Sequence, residues 1–136
     1  MIQFANEEIR NFVAFISLPD IPSVDLYVVP GFDSIETPDG RMGFACYIEH
    51  EYRIVVPEGL NDIDKGLILS SIAHEYYHHI EHCFDAEHNE DKAEKFANKM
   101  MELWEIKNKY SEIENLKRNL STLYGAPTSS QRYMKG

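Results

Sequence analysis

Apolar positions recur along this chain at two periods, and each change of period predicts a new element. Ile9, Phe12, Val13 and Ile16 repeat at helical spacing behind Asn6, a residue type that caps helices, and the pattern stops at Leu18-Pro19. Val24 to Val29 alternates loosely and ends on the turn pair Pro30-Gly31, predicting a strand. Residues 31–42 carry Gly, Pro and Asp and predict a loop. Gly43 to Ile48 and Tyr52 to Val56 are rich in aromatic and branched residues and flank the polar Glu49-His50-Glu51. They predict a hairpin closed by Pro57. Helical spacing then returns: Ile68, Ile72, Tyr76 and Ile80 fall four apart, with Leu69, Ala73 and Tyr77 beside them, behind a cap at Asn61 or Asp62.

A polar break at residues 85–89 precedes a second long helical pattern, whose apolar face is Ala93, Phe96, Ala97, Met100, Leu103 and Trp104. Ile113, Leu116, Leu120 and Leu123 make a narrow stripe over Ser111 to Tyr124, either a third helix or an extension of the second. The stripe suits packing on the domain or self-association through the C-terminal helix. Gly125 and Pro127 end it, so residues 125–136 are expected to be a flexible tail behind a single domain at 1–124. A small, mostly antiparallel sheet packed on helices is an α+β arrangement.

Within the central helix, His74-Glu75-Tyr76-Tyr77-His78 is an HExxH motif. Residues four apart share a helix face, so His74 and His78 can close on one zinc ion. Both fall outside the Ile68–Ile80 stripe, on a face shared with Ser70, Ser71 and Glu81 or His82. Glu75 then sits beside the metal without needing to bind it, where it can move a proton to and from water. A catalytic zinc commonly has three protein ligands, so a third must come from elsewhere. Glu90, Glu94 and Asn98 repeat every four residues along one strip of the second helix, and His88 lies in the preceding turn.

Gly and His three and six residues after the second ligand would signal a metzincin, but Glu81 and Phe84 occupy those positions. The pairing of HExxH with Glu94-Lys95-Phe96-Ala97-Asn98 instead resembles the gluzincins, zinc peptidases with a glutamate ligand on the next helix. The size and the Glu-rich second helix also look like the ImmA/IrrE branch and the single-domain minigluzincins. That resemblance spans residues 43–104 and implies a zincin-like fold. It implies one zinc held by His74, His78 and Glu94, with Glu75 as general base, and peptide-bond hydrolysis of a protein or peptide substrate. The ImmA/IrrE register would make Glu90 the ligand instead, and His88 remains an alternative. Asn98 stands where thermolysin-like relatives have an Asp bonded to a ligand histidine. The donor for the oxyanion is open among Tyr47, Tyr52 and Tyr110. In such folds the edge strand over the active-site helix binds extended peptide, and Gly43 to Ile48 is the candidate.

Composition narrows the partners. With 23 acidic and 13 basic residues the formal charge is −10, which disfavours nonspecific binding to nucleic acid or to anionic membranes. No segment approaches the length of a membrane span, and Met1-Ile2-Gln3-Phe4 opens no signal peptide. Two cysteines, Cys46 and Cys83, make no disulfide framework, so a reducing cytoplasm is expected.

Overall fold

The computed structural model describes residues 1–37 and 40–123. The expected tail at 125–136 lies outside them. The chain divides into two compact units, Met1–Glu102 and a second beginning at Leu103.

The first unit is α+β. Strand β1 (Ile2–Gln3) leads into helix α1 (Glu7–Ile16), capped by Asn6 Oδ1, which accepts from Ile9 N–H at 2.8 Å. Ile9, Phe12, Val13 and Ile16 are buried, as their spacing predicts. Then come β2 (Asp25–Val29), the short pair β3 (Ile35–Glu36) and β4 (Met42–Gly43), β5 (Cys46–Ile48) and β6 (Arg53–Pro57). The expected loop at 31–42 therefore contains an antiparallel strand pair, and Gly43 belongs to it rather than to the hairpin. Glu49–Glu51 form one 3-10 turn between β5 and β6 and end on Tyr52 in the left-handed region, at φ 51°.

The main sheet runs β1-β2-β6-β5. Pairings β1–β2 and β2–β6 are parallel and only β5–β6 is antiparallel, so the sheet is mixed and not mostly antiparallel. Alternation reveals a strand but not its partner: β6 takes β2 on one side and its hairpin mate β5 on the other. Leu26, Val28, Ile54 and Val56 point from the two central strands into the core. Strand β5 is an edge strand, as proposed for the Gly43–Ile48 segment, but it starts only at Cys46.

After β6 a single helical turn, α2 (Leu60–Ile63), precedes α3 (Lys65–Cys83). The cap of α3 is Asp64, not Asn61 or Asp62. Its backbone is extended (φ −159°, ψ 126°), which interrupts the helix, and its carboxylate accepts from Gly66 N–H at 2.8 Å. Ile68, Leu69, Ile72, Ala73 and Tyr76 form the buried face, packed on α1, β5 and β6. The stripe does not continue to Ile80, which is half-buried; His79 takes the buried place.

Tyr76 is nearly inaccessible, and its hydroxyl accepts from Leu18 N–H at 2.8 Å, tying the segment after α1 to α3. Tyr76→Phe removes that acceptor. It is expected to cost about 1–2 kcal/mol in urea unfolding, with the slope of the transition unchanged.

Helix α3 ends at Cys83 through Asp85 in the left-handed region (φ 53°), where Ala86 N–H donates to the Glu81 carbonyl at 2.8 Å. Helix α4 (Glu90–Leu123) follows as one continuous helix of 34 residues. The C-terminal stripe is thus an extension of the second helix, in keeping with the absence of Gly and Pro from residues 90–123. Ala93 and Ala97 are fully or almost fully buried, and Phe96 packs its ring on Tyr77 with centroids 5.4 Å apart.

Candidate metal centre

His74 and His78 project from the same face of α3, with ring centroids 5.1 Å apart. Their Nε2 atoms converge on one carboxylate oxygen, Glu90 Oε1, at 2.7 Å from His74 and 3.2 Å from His78. Among the described residues, His74, His78 and Glu90 form a group whose ligand atoms lie within 4.8 Å of one another. Glu94 lies outside that convergence. Its Oε1 sits 3.2 Å from His74 Nδ1, the opposite ring nitrogen.

The turn before α4 sets which of the two glutamates reaches the Nε2 atoms. Glu81 is buried; one of its carboxylate oxygens is 2.7 Å from His78 Nδ1 and the other accepts Asn89 N–H at 2.9 Å. Asn89 in turn caps α4, its Oδ1 accepting Lys92 N–H at 2.9 Å. One buried carboxylate therefore orients His78 and fixes where α4 starts, which brings the helix's first residue, Glu90, over the two imidazoles. Glu94 enters one turn later and reaches only the outer side of His74.

Each inner group has an outer partner. Glu94 holds His74 Nδ1, Glu81 holds His78 Nδ1, and His88 Nε2 lies 2.9 Å from Glu90 Oε2. Carboxylates on the far nitrogens fix ring orientation and raise ligand basicity. Asn98, which stands in place of the Asp of thermolysin-like relatives, is exposed, and the Nδ1 atoms of His74 and His78 have Glu94 and Glu81 as partners. Sequence reading left Glu81 without a role; its position three residues after His78 was the available signal. His88 is an outer partner of Glu90 here, and its ring also stacks on His78 at 4.1 Å.

Burial pushes the Glu90 carboxyl up, but hydrogen bonds from His88, His74 and His78 outweigh it and hold the group at about 2. Glu75 goes the other way. Burial holds its carboxyl above the usual range, against the pull of His78 and His74 and with a push from Glu90.

Glu75 and Ala45 are common to two cavities, which meet over the motif. The larger, about 510 Å³, also takes Cys46 and Tyr47 of β5, and His78, His88 and Glu90. The smaller, about 270 Å³, is bounded by Phe44, Leu67, Ser70, Ser71, His74 and Glu94. The start of the edge strand thus forms one wall of a cleft whose floor is α3.

Of the three tyrosines considered as oxyanion donors, only Tyr47 lines this cleft. Its hydroxyl donates to His79 Nδ1 at 2.6 Å, and His79 Nε2–H donates to the Pro22 carbonyl at 2.7 Å. Burial, with added negative charge nearby, pushes the Tyr47 phenol up, and burial pushes the His79 imidazole down. Tyr52 sets its ring edge-on to His79 at 5.3 Å, and Tyr110 is exposed on the second unit. His79, fully buried, is a clamp between β5 and the segment before β2. His79→Ala leaves both partners unpaired and is expected to cost about 2–4 kcal/mol, read as a lowered urea midpoint.

Two imidazole nitrogens and one carboxylate oxygen are the donor set of catalytic zinc sites, so the residues present fit a zinc ion. No protein-family model, curated protein or solved structure matches the chain.

Proposed function

We propose that this chain is a zinc-dependent metallopeptidase with a zincin-like fold, holding one Zn2+ through His74, His78 and Glu90. The observation that carries the reading is the convergence of both Nε2 atoms of the HExxH helix on Glu90 Oε1, with Glu75 beside them in the cleft. Relative to the expected ligand set, Glu90 replaces Glu94, and Glu94 becomes the partner that orients His74.

Zinc in such a site acts as a Lewis acid on the scissile carbonyl and lowers the pKa of its water. The residues of the chain do the rest. Glu75 Oε takes a proton from the attacking water and passes it to the leaving amine nitrogen. Glu81, Glu94 and His88 keep the three ligands in register. An extended protein or peptide substrate lies along β5, with side chains on either side of the scissile bond in the two cavities that meet at Ala45 and Glu75. Both cysteines are free and half-buried, which suits a reducing cytoplasm. No described helix is long and apolar enough to cross a membrane.

A second reading, a zinc-retaining protein that cleaves nothing, draws on the neighbouring donor group of His78, Glu81 and His88. The test is zinc per chain by elemental analysis of wild type and His78→Ala after dialysis against a weak chelator, followed by cleavage of an unstructured protein. One zinc, lost in the variant, together with cleavage supports the peptidase. Zinc without cleavage supports the second reading, and no zinc overturns both.

A further inference from the structure

The second unit carries an apolar stripe in solvent. Leu103, Ile106, Tyr110, Ile113, Leu116 and Leu120 are between 37% and 65% exposed, and over residues 103–121 only Trp104 is buried. Helices in water draw most of their stability from burying such a face, and among the described residues this segment has no partner surface.

The spacing names the partner. From Leu103 the steps are three, four and three to Ile113, and Lys117 and Leu120 continue the alternation. In heptad terms, Leu103, Tyr110 and Lys117 occupy a, and Ile106, Ile113 and Leu120 occupy d. The flanking charges then become informative. Glu102 and Lys109 fall at g, and Lys107 and Glu114 at e. In a parallel, in-register pair each g residue faces the e residue of the following heptad on the other strand. Glu102 then meets the second copy's Lys107, and Lys109 meets the second copy's Glu114. Both contacts join opposite charges, and each occurs twice by symmetry. An antiparallel pair centred on the same stripe keeps only the Lys107–Glu114 match and sets Lys109 against Leu116.

Within its own helix, Glu102 lies 3.2 Å from Lys99, and Lys107 sits 5.5 Å over the Trp104 ring. The Glu102–Lys99 pair is a surface contact that flexible side chains exchange at little cost, and the exposed Lys107 ammonium leaves the Trp104 face for about 0.5–1 kcal/mol. A single Lys at an a position, Lys117, lowers stability but opposes slipped registers.

We propose that residues 103–123 form the seam of a parallel, in-register two-stranded coiled coil between two copies of this chain. Light scattering across a dilution series should give the mass of two 15.8 kDa chains, falling towards one on dilution. Ile113→Asp places a charge on each side of the seam and should raise the dissociation constant roughly a hundredfold, with the near-UV circular dichroism of the first unit retained. Lys117→Cys supplies an independent readout, because a-position thiols face each other only in the parallel register. Mild oxidation should link this variant into dimers while wild type stays unlinked. A monomer at every concentration overturns the proposal and leaves the stripe to the chain's own remaining residues or to another protein. A dimer that survives Ile113→Asp, or that fails to link through residue 117, overturns it as well.

Discussion

Glu75→Gln is expected to lower kcat/KM for peptide cleavage by roughly 10²–10⁴-fold while zinc per chain stays unchanged, because a positioned general base contributes about that much. The substitution keeps the shape of the side chain in the cleft and removes only its capacity to take a proton. Glu75 shares no short contact with the imidazoles of the kind Glu90 makes, so the ligand set survives the change. Parallel assays of cleavage and of bound zinc on one preparation decide the matter. Cleavage persisting at wild-type rate would remove Glu75 from the chemistry. Loss of zinc along with activity would make Glu75 part of the site's structure.

Replacing the two glutamates of α4 separately should give unequal losses. Structural zinc binding of about 10–16 kcal/mol over four ligands is about 3 kcal/mol per ligand, so Glu90→Ala should weaken zinc by roughly 10²–10³-fold. Glu94 acts on His74 through the far ring nitrogen at 3.2 Å, so Glu94→Ala should cost about tenfold, the low end for an orienting partner. Competition against a chelator of known affinity measures both. The reverse order, with Glu94→Ala the more damaging, would return the third-ligand role to Glu94.

These two glutamates also mark the limit of what the sequence discloses. They lie four residues apart on one helical strip, so periodicity treats them alike. The start and rotation of α4 separate them, and those depend on a buried carboxylate, Glu81, gripping both His78 and the backbone of Asn89. His79 is a similar case. No spacing marks it as buried, yet Tyr47 and the Pro22 carbonyl, 32 and 57 residues distant, satisfy both ring nitrogens and permit its burial.

Local spacing by itself determined the helical runs of α1, α3 and α4, the β5–β6 hairpin and the face on which His74, Glu75 and His78 stand, because side-chain direction repeats every 3.6 residues in a helix and every two in a strand. Tertiary structure alone decided that β2 and β6 run parallel, that Asp64 and not Asn61 or Asp62 starts α3, and that Glu90 rather than Glu94 meets both Nε2 atoms. Each of these depends on a partner far along the chain or on the backbone path between elements, and no pattern within one element encodes either.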